Sequence, residues 1–297
     1  MAGTEYPRGM GRARAKDTEH PSARLGSGGI ARVVPAEFGG GYELLIDETP
    51  QSHVDPADPT HLHFEYIVRM GALIDQLGSP GEAITAVHLG AGALTLPRYI
   101  AATRPGSRQQ VIELEAPLVE LVREHLPLPR GAAIRIRIGD AREGVRRLPP
   151  ALVGTVDLVV ADVYSGAQTP AHLTSVEFYA ELAALLAPAG VLLVNVADGP
   201  GLAFARRQVA TIRTVLPEVA ILADAQILKG RRFGNLVLAA SAAPLPADAL
   251  PRILAAGPHP AKLAHGAEVT AFAKDAAIVT DATAVASPRP DAGLFLR

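Results

Sequence analysis

From residue 84 to residue 198 the apolar positions follow two alternating rhythms. Short β-branched runs in AITAVHLG, RQQVIELE, AIRIRIGD, TVDLVVAD and GVLLVNVA predict strands, and their general lack of polar alternation, outside the Ile-Arg repeat of AIRIRI, predicts burial on both faces. The segments between them, LTLPRYIAAT, PLVELVREHL, AREGVRRL and SVEFYAELAALLAP, predict helices. Such alternation predicts a parallel sheet covered on both sides. Downstream, LAFARRQVATIRTVL predicts a helix, and EVAILADAQIL with the run from Phe233 to Ser241 predicts a closing hairpin around KGRR. Upstream, IARVVP and YELLID, punctuated by Gly39-Gly40-Gly41 and Asp-Pro turns, predict a small antiparallel unit. Leu62, Tyr66, Ile67, Met70, Leu73, Ile74 and Leu77 then recur at helical spacing up to Gly78 and Pro80.

The fold class expected is therefore α/β: a Rossmann-like sheet of the class I methyltransferase type, mostly parallel with a closing antiparallel hairpin, preceded by a small N-terminal β domain. The expected division is a disordered tail over 1–29, the β domain over 30–67, the catalytic domain over 68–241 and a C-terminal extension over 242–297 packed on the core. Strands are expected in that extension at EVTAFA and AAIVT.

Composition narrows the function classes. With 297 residues, 48% of them hydrophobic, the chain has enough apolar surface for a large core. A formal charge of -2 argues against nucleic acid or a polybasic membrane surface as partner. The absence of cysteine excludes disulfides and thiolate chemistry, and suits a cytoplasmic protein. The first residues carry arginines without an apolar core of a secretory signal, and no apolar run reaches the length of a membrane span.

Ligands of open α/β sheets bind beyond the carboxyl ends of the strands. Four strand ends here carry chemistry: Gly90 and Gly92, then Glu113, Asp140 and Asp162. The glycine turn can bring backbone close to a nucleotide. Glu113, 21 residues after Gly92, is placed to accept ribose hydroxyls. Asp140 with Ala141 can read an adenine edge, or cap the helix that follows. Asp162, after Leu158-Val159-Val160-Ala161, is costly to place unless used. Tyr164 either lines an acceptor pocket or packs on its loop.

The succession GAGALT, VIELE, IGDAREG and VADVYSGAQTPAHLTSVEFYAELAALLAPAGVLLVN resembles the spermidine synthase family, the polyamine aminopropyltransferases. The likeness runs over residues 40–240 and is most specific from Asp162 through Pro170-Ala171, Leu173 and Phe178-Tyr179. PQSH and HFEY, with Gln51 and Glu65, are similar to the family's N-terminal glutamine and Tyr-His-Glu segment, and AAIVTDATAVA to its Thr-Asp-Asp stretch. The resemblance implies decarboxylated S-adenosylmethionine as co-substrate, with no tightly bound cofactor, and a small-molecule amine as acceptor. It implies Glu113 on the ribose, Asp140 and Ala141 on the adenine, and Gln51 on the thioadenosine end. Asp162 would take the proton of the attacking amine, with Glu65, Tyr164 and Ser165 beside the acceptor. A homodimer is also implied.

The family pattern is departed from at several positions: the Tyr-His-Glu segment is reduced to His63-Phe64-Glu65, Ala282 replaces the second aspartate of the Thr-Asp-Asp stretch, and two charge partners are missing. Ala93 stands where these synthases carry an aspartate for the donor's ammonium, and Ser165 replaces a second aspartate for the acceptor. Loss of the first acid removes a device that repels intact S-adenosylmethionine. A methyltransferase using that donor on the same fold, and a non-catalytic adenosyl-binding protein, are the alternatives. An NAD-dependent dehydrogenase would explain Gly90, Gly92 and Glu113, but not Asp140 or the hairpin. His53, Asp55, Asp58, His61 and His63 crowd one loop and could suggest a metal site, but His61 and His63 are close in a polar turn rich in Asp-Pro, and no metal is expected.

Overall fold

The computed structural model describes residues 20–257 and 259–289. The chain opens with β1 (Ser22–Arg24), β2 (Ile30–Pro35), β3 (Tyr42–Ile46) and β4 (Thr49–Val54), an antiparallel sheet in that order. Residues 1–19 of the expected tail lie outside the described residues. The tail's remaining part departs from expectation, because Ser22–Arg24 pairs with β2. What holds so short a strand is distant in sequence: the Glu115 carboxylate accepts hydrogen bonds from the backbone N–H of Gly26, at 2.6 Å, and of Ser27, at 2.9 Å.

Helix α1 (Glu65–Ile74) leads into the core. There β5 (Thr85–Leu89), α2 (Thr95–Thr103), β6 (Arg108–Glu113), α3 (Ala116–His125), β7 (Ala133–Ile138), α4 (Ala141–Arg146), β8 (Val156–Ala161), α5 (Val176–Ala183) and β9 (Leu186–Asp198) alternate as the apolar rhythm predicts. Next come α6 (Ala203–Ile212), β10 (Glu218–Ala223), α7 (Ala225–Leu228), β11 (Gly234–Ser241), α8 (Leu250–Ala256), β12 (Lys262–His265) and α9 (Ala267–Phe272). The eight-stranded sheet runs β12-β10-β11-β9-β8-β5-β6-β7. From β9 to β7 it is parallel, and β11 inserts antiparallel between β9 and β10 as the closing hairpin requires.

Two apolar layers cover this sheet. Strand period explains the division: Leu158 and Val160 of β8 face the side of α1, with Met70, Leu73 and Ile74, whereas Val159 and Ala161 face α5 and α6, with Phe178, Leu182 and Val209. A third cluster joins Val33, Leu44 and Val54 of the small sheet to Ala93, Leu94, Leu118 and Val122. The small sheet thus packs directly on the first turn of the core and on α3.

Four local expectations are corrected. EVAILADAQIL is not one strand, because Asp224 accepts from the N–H of Gln226 and Ile227 and starts α7. SVEFYAELAALLAP stops being helical at Ala183, and β9 begins at Leu186. EVTAFA is helical rather than extended, burying Val269 and Phe272 one helical turn apart, while β12, just before it, supplies the strand on β10. AAIVT forms no strand either: the Val279 N–H is satisfied by Thr211 Oγ1 at 2.9 Å.

The C-terminal segment is clasped by charge. Arg142, almost buried, bonds both carboxylate oxygens of Asp281, at 2.7 and 3.0 Å, and Glu181 at 2.8 Å. The Arg142 and Ser175 hydrogen bonds hold the Asp281 carboxyl below the usual range. Its contribution is present above the ordinary carboxylate pKa and is lost as pH falls through the lowered folded value. Asp281→Ala is therefore expected to lose about 1 kcal/mol in urea unfolding at pH 7, after screening at its half-exposed carboxylate, and less at acid pH.

Candidate active site

At the carboxyl end of β5 the chain turns at Gly90, whose φ is +88°. A Cβ there would stand 2.2 Å from the Asp162 carbonyl oxygen, so only glycine lets the ends of β5 and β8 meet. The turn is held on its other side by Glu113: Ala91 N–H donates to one carboxylate oxygen at 2.7 Å, and Glu115 N–H to the other at 3.0 Å. Each carboxylate oxygen retains a lone pair for a further donor. Gly92 lies against β4, where the Ser52 hydroxyl accepts from Ala93 N–H at 3.2 Å. Gln51 precedes Ser52, and its amide donates only a long bond to Thr49 O, at 3.4 Å, among the described residues. Ala93 is 1% exposed and brings no charge to the turn.

Asp140 caps α4. One oxygen accepts from the N–H of Arg142 and Glu143, and the other meets His172 Nε2 at 2.7 Å. Burial raises the proton affinity of this carboxyl, but these hydrogen bonds outweigh burial and hold it below the ordinary value. Its neighbour Ala141 is buried at the start of the helix.

Asp162 is the most constrained of the acids. Asn195 Nδ2 donates to it at 2.9 Å, and Asn195 Oδ1 in turn accepts from Asn235 at 3.1 Å. The Tyr66 hydroxyl lies near the same carboxylate and favours its charged form. Burial pushes the Asp162 carboxyl above the usual range, and Asn195 and Tyr66 oppose that rise. Tyr66 is pushed up by its own burial and by the Asp162 charge, so it remains a donor. Tyr164 also lies on this network, its hydroxyl 3.4 Å from Asn195 O, and burial raises its pKa. Ser165 is exposed and pairs through its backbone with Gln168. Glu65 is turned to Arg69, at 2.8 Å, and no hydrogen bond joins it to Asp162 among the described residues.

Glycine turn, Glu113 and Asp162 are thus joined by direct contact, with Gln51 beside the turn; Asp140 is engaged by its own helix, and Glu65 by Arg69. Tyr66, Asn195, Asn235 and His172 were missed by sequence reasoning. Tyr66 was counted as an apolar face position. Asn195 did leave a signal, a lone amide within GVLLVNVA.

The histidine-rich residues do not all lie in one loop. His53 belongs to β4 and is 1% exposed, and its ring lies 4.8 Å from that of His63 and 5.5 Å from that of His61. Burial first, and the His53 ring next, hold His63 below the ordinary imidazole value.

A mostly parallel sheet with a closing antiparallel hairpin, and with acids at the carboxyl ends of its strands, defines a protein of the class I methyltransferase fold type. No protein-family model and no curated protein matches the sequence. Solved structures do. A probable spermidine synthase from Corynebacterium glutamicum aligns at 31% identity with a TM-score of 0.79, over 87% of this chain and 95% of that one. At that identity and coverage, the chain belongs to the spermidine synthase family. A spermidine synthase in complex with the transition state analogue AdoDATO shares the fold at 14% identity and a TM-score of 0.53, over 88% of this chain and 80% of that one. The spermidine synthase of Thermotoga maritima does so at 15% and 0.54, over 89% and 82%. Among the described residues no helix is long and apolar enough to cross a membrane.

Because Gly90 has no room for a Cβ and a left-handed φ, Gly90→Ala is expected to destabilise the fold by about 1–3 kcal/mol. Urea unfolding followed by circular dichroism measures it; an unchanged midpoint would mean that the two strand ends separate freely.

Proposed function

We propose that this protein is an aminopropyltransferase, moving the aminopropyl group of decarboxylated S-adenosylmethionine to a small-molecule amine. The observation that carries the reading is Asp162, held at the β8 end by Asn195 with the Tyr66 hydroxyl nearby, and touching the glycine turn through its own carbonyl. In this reading Glu113 and the turn hold the ribose, Gln51 the thioadenosine end, and Asp140 with Ala141 the adenine once His172 yields one carboxylate oxygen. The core sheet is then the catalytic unit, and the small N-terminal sheet closes over the donor.

The chemistry asks for a base. An alkylammonium of pKa about 10.4 is roughly one part in 10³ neutral at pH 7, which costs about 4–5 kcal/mol before attack. In the proposed step the amine nitrogen attacks the aminopropyl carbon bound to sulfur. The C–N bond forms as the C–S bond breaks, the electron pair goes to the sulfonium sulfur, and the amine proton goes to Asp162. Burial strengthens Asp162 as the acceptor. Tyr66 and Asn195 are positioning residues that fix its orientation.

Methyl transfer from intact S-adenosylmethionine is the second reading, favoured by the uncharged, buried Ala93. Calorimetry with both donors separates the two. Tighter binding of the decarboxylated donor is expected, and tighter binding of the intact one would overturn aminopropyl transfer in favour of methyl transfer.

Asp162→Asn is expected to lower kcat by about 10²–10⁴ with little change in donor affinity. Undiminished turnover would remove it as the proton acceptor. The rate should fall as pH drops through the raised Asp162 value, since the carboxylate is the active form. Tyr66→Phe and Asn195→Ala remove polar groups that favour the carboxylate, so each should move that acid limb to higher pH.

A further inference from the structure

His53 lies in β4, and His61 and His63 in the segment between β4 and α1. One ring nitrogen from each of the three lies within 4.8 Å of the other two. The His53 ring is the informative one. Its Nε2 is 2.8 Å from Gly40 O, and a carbonyl only accepts, so Nε2 carries the proton. Nδ1 is then a bare lone pair, and among the described residues it is buried with no hydrogen-bond partner. A buried acceptor left in that state costs free energy unless something binds it.

We propose that His53, His61 and His63 form a three-histidine site for a divalent transition metal of the zinc class. The arrangement has the marks of such a site. The ligands are imidazoles, which suit borderline metals, and the buried one donates its other nitrogen to a backbone carbonyl, as metal-bound histidines do. Tetrahedral zinc at the usual Zn–N length needs nitrogens about 3.4 Å apart. The exposed His61 ring supplies the remaining approach by rotating about its side-chain bonds.

The surroundings are built to hold the rings. Gly39, Gly40 and Gly41 all take left-handed φ, at +80°, +75° and +76°, which delivers the Gly40 carbonyl to His53. The segment that follows β4 is braced by its own acids: Asp55 Oδ1 accepts from Ala57 N–H, and Asp58 Oδ1 from Thr60. Those bonds occupy Asp58 Oδ1 with turn formation, and the proposed donor set is the three imidazole nitrogens. A bound ion would tie β4, which carries Gln51 and Ser52, to the stretch leading into Glu65 and Tyr66. The site is independent of the transfer reaction proposed above, and its test uses no donor or acceptor.

The full chain, without a histidine tag and treated with chelator, is titrated with Co²⁺ and followed by visible absorption. One Co²⁺ per chain is expected, with the intense bands of a four-coordinate ion, and Zn²⁺ should bleach them. His61→Ala and His63→Gln should each weaken binding by more than about 100-fold, beyond what loss of an outer-shell partner causes. His61 is exposed, so its replacement leaves the fold intact; circular dichroism checks this for both variants. A weak six-coordinate spectrum, or equal affinity in wild type and both variants, would overturn the site.

Discussion

The approach of two strand ends governs the rest of the structure. β5 and β8 are parallel neighbours, and where they finish, the Gly90 backbone lies against the Asp162 carbonyl with no space for a side chain. This fixes the spacing between the glycine turn and the Asp162 carboxylate. Both run directly out of strands whose every other residue is locked into one of two apolar layers, so neither end can drift. Glu113 extends the same constraint to β6 by accepting from Ala91 N–H.

The small sheet is part of this arrangement rather than an appendage. Ser52 accepts from Ala93 N–H, Thr95 donates to His53 O at 2.9 Å, and Glu115 holds the turn between β1 and β2. Three polar contacts and a shared apolar cluster therefore register the sheet against the glycine turn and α3. Arg98 reinforces the same junction from within: its buried guanidinium donates to Ala93 O at 3.1 Å and to the carbonyls of Leu126 and Pro127 just past α3. Burial lowers the pKa of Arg98 to about 10, which still leaves it charged at neutral pH.

Much of the core was legible in sequence, because strands buried on both faces read as unbroken apolar runs and their ends carry the acids. The parts that were not legible depend on distant partners. β1 is three residues long and owes its place to Glu115. EVTAFA reads equally as strand or helix when taken alone, and the choice is made by the burial of Val269 and Phe272. Tyr66 has the spacing of a core residue, and the sequence alone gives no sign that its hydroxyl lies near Asp162. Asp140 illustrates the opposite case: its sequence position allowed two roles, and the structure fills one of them, the helix cap.

The clasp between Arg142 and Asp281 joins residues 139 positions apart. Contacts of that span close a long loop and form after local ones, since the entropy of closure must be met before the bond repays it. During synthesis the strands from β5 to β9 can therefore pair while residue 281 has not yet been made. The order of assembly is written into the topology: the sheet comes first, and the surroundings of α4, where Asp140 sits, reach their final form only when the last segment arrives. A nascent chain of this protein holds a scaffold before it holds a finished site.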